Sequence, residues 1–196
     1  DWSVWTEAEE YVAQDGSQAA FYHMENTASG GKIVDHDWGR DVGNFLRWRI
    51  ETPQPCETLY VTVKFARDFP TPASIRVRVG DRRAEVRFPT TGGWGFESQQ
   101  WQFGEIRLEG LPAGLHTIEL TATAQGSNLN TDGLFVSDHP LAVAGKKVVL
   151  EDVVRQRALA FAAETDPALR RRLLATYRER IQRIIYTKHI DMAGSH

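Results

Sequence analysis

The sequence predicts a mainly β protein: an antiparallel β-sandwich, jelly-roll-like in organisation, followed by a C-terminal α-helical hairpin. Three observations support this prediction. Apolar and polar residues alternate in several short runs before residue 137, turn residues separate those runs, and apolar residues recur at helical spacing after Gly145. Successive side chains of a strand point to opposite faces, so each alternating run can cover a core with one face.

Four runs show the clearest alternation and are rich in β-branched residues, which favour strands. They span residues 59–66, 74–79, 84–88 and 116–122. Proline and glycine punctuate the chain between them, as at Pro70, Gly80 and Gly92. Because strands follow one another without intervening helices, the sequence indicates an antiparallel sandwich and not a parallel sheet.

The period changes after residue 145. Asp166 and Pro167 predict the start of a second helix, because Asp accepts bonds from free N–H groups and Pro fits the first turn. The two apolar stripes comprise Leu150, Val153, Val154, Ala158, Phe161 and Ala162, then Leu169, Leu173, Tyr177, Ile181 and Ile184. We therefore expect a sandwich over residues 1–140 and a two-helix extension, or a linker to a further domain, over 146–196.

The composition narrows the class of protein. With 196 residues, 41% hydrophobic and 25% charged, the chain is long enough for a folded domain and an appendage. A net charge of −3 gives no electrostatic reason to expect nucleic acid as a partner, and no apolar run is long enough to span a membrane. Cys56 is the single cysteine, which excludes an internal disulfide.

The sequence gives no sign of catalysis. No two histidines fall at the spacing of a helical metal site, and neither a Gly-x-Ser-x-Gly elbow nor a phosphate-binding loop is present. Acidic residues occur in the loops, but nothing singles out an acid and a nucleophile for glycoside hydrolysis. We therefore predict a protein that is not an enzyme.

Five short patterns occur in an order that is more specific than any one of them. They are Trp5-Thr-Glu-Ala-Glu9, Ala28-Ser-Gly-Gly-Lys-Ile-Val34, Phe88-Pro-Thr-Thr-Gly-Gly-Trp94, Leu111-Pro-Ala-Gly-Leu-His-Thr-Ile-Glu-Leu120 and Asn128-Leu-Asn-Thr-Asp132. Over roughly residues 3–137 this set resembles carbohydrate-binding modules of family 6 and the related family 35. The resemblance implies an exported protein, extracellular or periplasmic, that holds a glycan near a linked catalytic domain or surface.

The resemblance also implies a structural calcium ion. In the family, a Glu-x-Glu near the N-terminus and an Asp in the late Asn-x-Asp element help to hold it, and here those positions are Glu7, Glu9 and Asp132. Calcium prefers several oxygen ligands, which carboxylates supply. If Glu7 and Glu9 lie on one strand, their side chains share a face. The alternative is a solvated acidic strand start.

A sugar cleft is the second implication. The family uses two aromatic rings and an Asn at one end of the sandwich, which places Trp94 and Asn130 here by position. The second ring should come from the loop after Gly31, where Trp38 is the candidate, although residues 35–44 are longer and more charged than the family pattern. The alternative function is a structural sandwich between domains that binds no sugar.

Overall fold

Strict alternation in the central strands produces a two-layer architecture. In the computed structural model, which describes residues 2–15 and 21–140, two antiparallel sheets enclose one main core. Leu46, Trp48 and Ile50 point into that core from one strand, while Arg49 between them points to solvent. Interior apolar surface of this kind is the main stabilising contribution to a sandwich.

The larger sheet has six strands. These are β1 (Ser3–Glu7), β3 (Phe21–His23), β4 (Lys32–Val34), β6 (Thr58–Ala66), β9 (Gln102–Glu109) and β11 (Asn130–Ser137). Their order is β3-β4-β11-β6-β9, with β1 pairing along the other end of β11. Three 3₁₀ turns interrupt the loops, at Ala8–Glu10, Ser29–Gly31 and Ser98–Gln100.

The smaller sheet has five strands. These are β2 (Ala13–Asp15), β5 (Phe45–Thr52), β7 (Ala73–Val79), β8 (Arg82–Phe88) and β10 (Gly114–Ala122), in the order β2-β5-β10-β7-β8. The four strands predicted from alternation are confirmed as β6, β7, β8 and β10. The mainly β, antiparallel part of the predicted fold is therefore confirmed.

Strand β11 breaks the alternating pattern, because all eight of its residues are buried. It lies at the centre of the larger sheet, and its pairing with β6 shifts register between Thr131 and Gly133. Such a β-bulge leaves one residue unpaired and re-aims its side chain. That residue is Asp132, and Asn130 is the first residue of the same strand.

A second, smaller apolar cluster covers the outer face of the six-stranded sheet. We call it the outer cluster, and it comprises Met24, Ala28, Ile33, Ala66 and Trp101. It places the 24–31 segment over β6 and β11, so polar side chains on the outer face of those strands are buried as well. This cover creates the environment of the site described below.

Two predictions concern residues 141–196, which lie outside the described residues. The helical hairpin over 146–196 and the domain boundary near 145 both stay predictions. Within residues 2–15 and 21–140, no helix is long and apolar enough to cross a membrane.

Candidate carbohydrate and cation site

Three acidic side chains approach one another under the 24–31 segment. Glu7 ends β1, Glu9 lies in the following 3₁₀ turn, and Asp132 sits at the bulge of β11. The expectation that Glu7 and Glu9 alternate along one strand is wrong, because the strand ends before Ala8. Both nevertheless border Gly30: a Cβ atom there would lie 3.3 Å from Glu9 Oε1 and 3.8 Å from Glu7 Oε2.

A lysine accompanies these acids. Lys64 Nζ lies 2.5 Å from Asp132 Oδ2, and the two side chains are only 6% and 0% exposed. Lys64 also donates to the carbonyl of Thr27 at 3.2 Å and lies 4.9 Å from the centre of the Trp101 ring. We call Glu7, Glu9, Asp132 and Lys64 the acid cluster. Asp132 therefore already has a buried positive partner.

Ser29 ties the acids to the covering segment. Its backbone N–H donates to Asp132 Oδ1 at 2.9 Å and to Oδ2 at 3.1 Å, and its hydroxyl donates to Glu7 Oε1 at 2.9 Å. Hydrogen bonds to carboxylates are stronger than those between neutral groups. Hydrogen bonds to carboxylates therefore attach the 24–31 segment to the sheet, in addition to the apolar contacts of the outer cluster.

The cluster carries an excess of negative charge in a buried setting. Burial raises the pKa of Glu9 to about 7, with repulsion from Glu7 and Asp132 adding to the effect. Burial likewise raises the pKa of Asp132 to about 6, although Lys64 opposes that rise. Among the described residues Glu9 Oε2 is buried without a hydrogen-bond partner.

The donor chemistry of the cluster suits calcium, since carboxylate oxygens are the ligands that calcium prefers. The positions of the side chains are less favourable for holding a metal ion. In the described part of the chain, no group of three or more His, Cys, Asp or Glu side chains is placed to hold a metal ion. Lys64 also occupies one oxygen of Asp132. The predicted calcium site therefore stays a prediction.

The predicted sugar-binding residue Trp94 lies on a rigid loop. Gly95 has φ +90° and its carbonyl accepts hydrogen bonds from Trp101 Nε1 at 3.0 Å and Thr27 Oγ1 at 2.6 Å, while its N–H donates to Gln100 Oε1. A Cβ at Gly95 would lie 2.4 Å from the Trp101 ring, so only glycine fits this close approach. The position of Trp94 is thus set by the outer cluster.

Trp94 and Asn130 come together through the backbone of Trp94. Asn130 Nδ2 donates to the carbonyl of Trp94 at 2.6 Å, and the Asn130 side chain is buried, at 3% exposed. Its Oδ1 is also buried and has no partner among the described residues. Asn130 therefore supports the Trp94 loop from beneath, and its contact with a sugar stays a prediction.

The expectation that Trp38 faces Trp94 from the opposite wall is wrong. Trp38 is 1% exposed, belongs to the main core, and donates its indole N–H to Thr131 Oγ1 at 3.2 Å. The neighbouring Gly39, with φ +79°, brings the chain so close that a Cβ would lie 2.6 Å from the Ser127 carbonyl. This contact turns the loop inward and carries Trp38 into the core.

Two residues that sequence reasoning did not select surround Trp94 instead. The ring of His36 lies 4.4 Å from that of Trp94, tilted by 36°, and the ring of Phe69 lies 5.2 Å away, edge-on at 84°. We call these three rings the Trp94 cluster. Phe69 is exposed, and an aromatic residue in the Asp68-Phe-Pro70 turn was the available signal for it.

Arg67 fixes the loops around this cluster. It is almost fully buried, and its guanidinium donates to the carbonyls of Thr71, Gly126 and Asn128 while lying 5.1 Å from the centre of the Phe69 ring. Burial lowers its pKa from the usual value. Since three carbonyls use its donors, Arg67 acts as a support for the loops.

Comparison with known proteins bears on the fold. No family model matches the sequence, and no curated protein matches it. Solved structures do match. The sandwich has the fold of family 35 carbohydrate-binding modules.

Two modules and one enzyme illustrate the likeness. A family 35 module from Cellvibrio japonicus has 18% identity and a TM-score of 0.57, covering 69% of this chain and 93% of that chain. One from Clostridium thermocellum has 26% identity and a TM-score of 0.56, covering 68% and 98%. An exo-β-1,3-galactanase from Phanerochaete chrysosporium, with 21% identity and a TM-score of 0.55, matches 69% of this chain over 29% of its own. The suspected resemblance to such modules is confirmed as a resemblance of fold.

Proposed function

We propose that the sandwich is a non-catalytic carbohydrate-binding module whose sugar contact is the Trp94 cluster. The observation that carries this proposal is a rigidly held Trp94 with His36 and Phe69 beside it, at the end of the sandwich where β6 ends and β11 begins. Aromatic faces suit the C–H surface of a pyranose, and a few polar groups orient its hydroxyls.

The role of such a module is to raise effective concentration. Holding a polysaccharide keeps a linked enzyme or cell surface close to it without any new chemistry. The match to only part of the galactanase chain supports a module that can belong to a larger enzyme. An extracellular or periplasmic location and further domains in the same protein belong to this proposal.

A structural calcium ion is a further part of the proposal. Glu7, Glu9 and Asp132 would hold it, and calcium would supply the positive charge that Lys64 alone does not provide. The raised pKa of Glu9 supports this, because a buried carboxylate that resists ionisation gains most from a nearby cation. The ion would brace the segment over the outer cluster and, through it, the Trp94 loop.

The direct test is glycan binding by wild-type protein and by Trp94→Ala. An array of neutral and uronic-acid oligosaccharides, followed by calorimetric titration, should show modest affinity for the wild type and none for Trp94→Ala. The melting temperatures of the two should nearly agree, with Leu115→Ala as an exposed control on the other sheet. Absence of binding by the wild type to every glycan would contradict the proposal.

The alternative function is a structural sandwich between domains. The burial of Asn130 and the close stacking of His36 on Trp94 favour it, because both cover part of the expected cleft. His36→Ala separates the two functions. In a binding module it alters glycan affinity and leaves stability almost unchanged. In a structural sandwich it lowers stability and no glycan binding exists to alter.

A further inference from the structure

A groove lies beside the Trp94 loop, on the far side of Gly95. It has a volume of about 370 Å³ and is open to solvent. Tyr22, at 48% exposed, and Phe96, at 60% exposed, form its aromatic sides, with their rings 6.0 Å apart and almost perpendicular at 87°. Exposed apolar surface gathered in one groove is a feature of ligand-binding sites.

The floor of this groove is built from a rigid turn. Thr27 and Ala28 both donate backbone bonds to the carbonyl of Met24, at 3.2 and 3.0 Å, and Met24 itself is buried in the outer cluster. Beneath the turn, Lys64 donates to the carbonyl of Thr27. The floor of the groove is therefore held by bonds within the protein, which reduces the entropy cost of ordering that turn on binding.

The groove and the Trp94 cluster share one short loop. Gly95, with φ +90°, separates Trp94 from Phe96, and Thr27 Oγ1 donates to the Gly95 carbonyl at 2.6 Å. Trp94 contacts the rings of His36 and Phe69, whereas Phe96 contacts that of Tyr22. The Cα atoms of Trp94 and Phe96 can be at most about 7 Å apart across two residues. One loop thus presents two rings to adjoining sites.

The lining of the groove indicates the kind of ligand. Its polar side chains are those of His23, Glu25, Asn26 and Thr27, and neither a lysine nor an arginine is among its lining residues. Glu25 would repel a carboxylate or sulfate group, since like charges at close range are unfavourable. Amide, carboxylate and hydroxyl groups beside aromatic faces suit the hydroxyls of an uncharged sugar.

We propose that the Tyr22–Phe96 groove is a second subsite that binds a neutral sugar ring of the same chain that the Trp94 cluster holds. This proposal rests on the proposed function and extends it from a single contact to an extended glycan. The module then recognises an internal stretch of an uncharged polysaccharide and gains affinity with chain length.

The test is calorimetric titration with neutral xylo-, gluco- and β-1,3-galacto-oligosaccharides of two and of four or more units. Within whichever of these three series the wild type binds, it should bind the longer oligosaccharide more tightly than the disaccharide. Phe96→Ala and Tyr22→Ala should each weaken binding of the longer chain about tenfold, the equivalent of about 1.4 kcal/mol. Binding of the disaccharide should be unchanged, because that ligand fills only the Trp94 cluster.

Controls separate this proposal from the one on which it rests. Trp94→Ala should lose both ligands, and Leu115→Ala should lose neither. Glu25→Gln should leave the neutral chain bound and improve the binding of a longer oligosaccharide that places a glucuronic acid unit in the groove. If the wild type binds short and long chains equally, or if Phe96→Ala leaves long-chain binding intact, the second subsite is wrong while glycan binding stands. If the wild type binds no glycan, both proposals fail.

Discussion

The outer faces of the two sheets use charge in opposite ways. On the six-stranded sheet, Lys64 and Asp132 form an ion pair that the outer cluster buries almost completely. On the five-stranded sheet, Arg76 and Glu85 pair across neighbouring strands at 2.7 Å with side chains 44% and 56% exposed. Both pairs join adjacent strands by opposite charges, so the difference in energy comes from the cover and not from the chemistry.

That difference explains where the candidate site lies. An exposed pair keeps most of its hydration, so making or breaking it changes little. A buried pair has lost its hydration, so each partner depends on the other. The cover of the pair also fixes Gly95, because Thr27 of the 24–31 segment and Trp101 of the outer cluster both donate to the Gly95 carbonyl. These two bonds connect the covered face directly to the Trp94 loop.

The largest expected effect comes from removing the buried lysine. Lys64→Met keeps the volume but leaves Asp132 without its cation, and we expect a loss of about 3–5 kcal/mol in the free energy of unfolding. Chemical denaturation measures it, with Arg76→Met as the matched control on the exposed face. Adding Asp132→Asn to Lys64→Met should recover part of the loss. If Lys64→Met and Arg76→Met lowered the free energy of unfolding equally, burial would not distinguish the two ion pairs.

Calcium should give the next largest effect. An ion that binds only the folded protein at a hundredfold excess over its dissociation constant stabilises it by about 2.7 kcal/mol. Thermal unfolding with calcium and with EDTA should show this shift, and Glu9→Gln should reduce it. In Lys64→Met the shift should grow, because no ammonium competes for Asp132. Identical melting temperatures with calcium and EDTA would argue against the ion.

The same contrast shows what could be predicted from the sequence. Alternation located β6, β7, β8 and β10, because a strand with one buried face leaves a local period. Lys64 occupies a polar position in that alternation, so the pattern predicts that its side chain is exposed to solvent. Its burial depends on a segment more than thirty residues earlier in the chain, which no local pattern reveals.

The candidate site follows the same rule. The location of Trp94 on a loop was predictable, because Gly92 and Gly93 directly before it are a local turn signal. Trp38 was misplaced because Gly39 packs against Ser127, a contact between distant parts of the chain. His36, only two residues from Trp38, takes the place beside Trp94. Identity and spacing can select a loop, but the direction of each side chain depends on what the loop packs against.

A smaller effect is expected at Glu119 on the exposed face. Burial raises the pKa of Glu119, but the hydrogen bonds and charges of Arg47 and Arg78 outweigh it, so the pKa is lowered. A lowered folded-state pKa gives stability that is present above the unfolded pKa of about 4.3 and is lost as the pH falls through the folded value.

Stability against pH therefore tests this pair of arginines. Between about pH 6 and about pH 3 the wild type should lose more stability than Glu119→Gln. The acid cluster should act in the opposite sense, because the pKa values of Glu9 and Asp132 are raised. Parallel curves for wild type and Glu119→Gln would show that Arg47 and Arg78 do not stabilise the ionised form.

The smallest effect on stability is expected for the exposed Arg76–Glu85 pair, with which the buried Lys64–Asp132 pair is compared. A double-mutant cycle with Arg76→Ala and Glu85→Ala should give a coupling of at most about 1 kcal/mol, because both side chains stay hydrated. The coupling should fall further in about 1 M salt, where the screening length is about 3 Å. The same cycle on Lys64 and Asp132 should resist salt, since no ions reach a pair beneath the outer cluster. A salt-resistant coupling on the exposed face would mean that geometry, and not burial, distinguishes the two pairs.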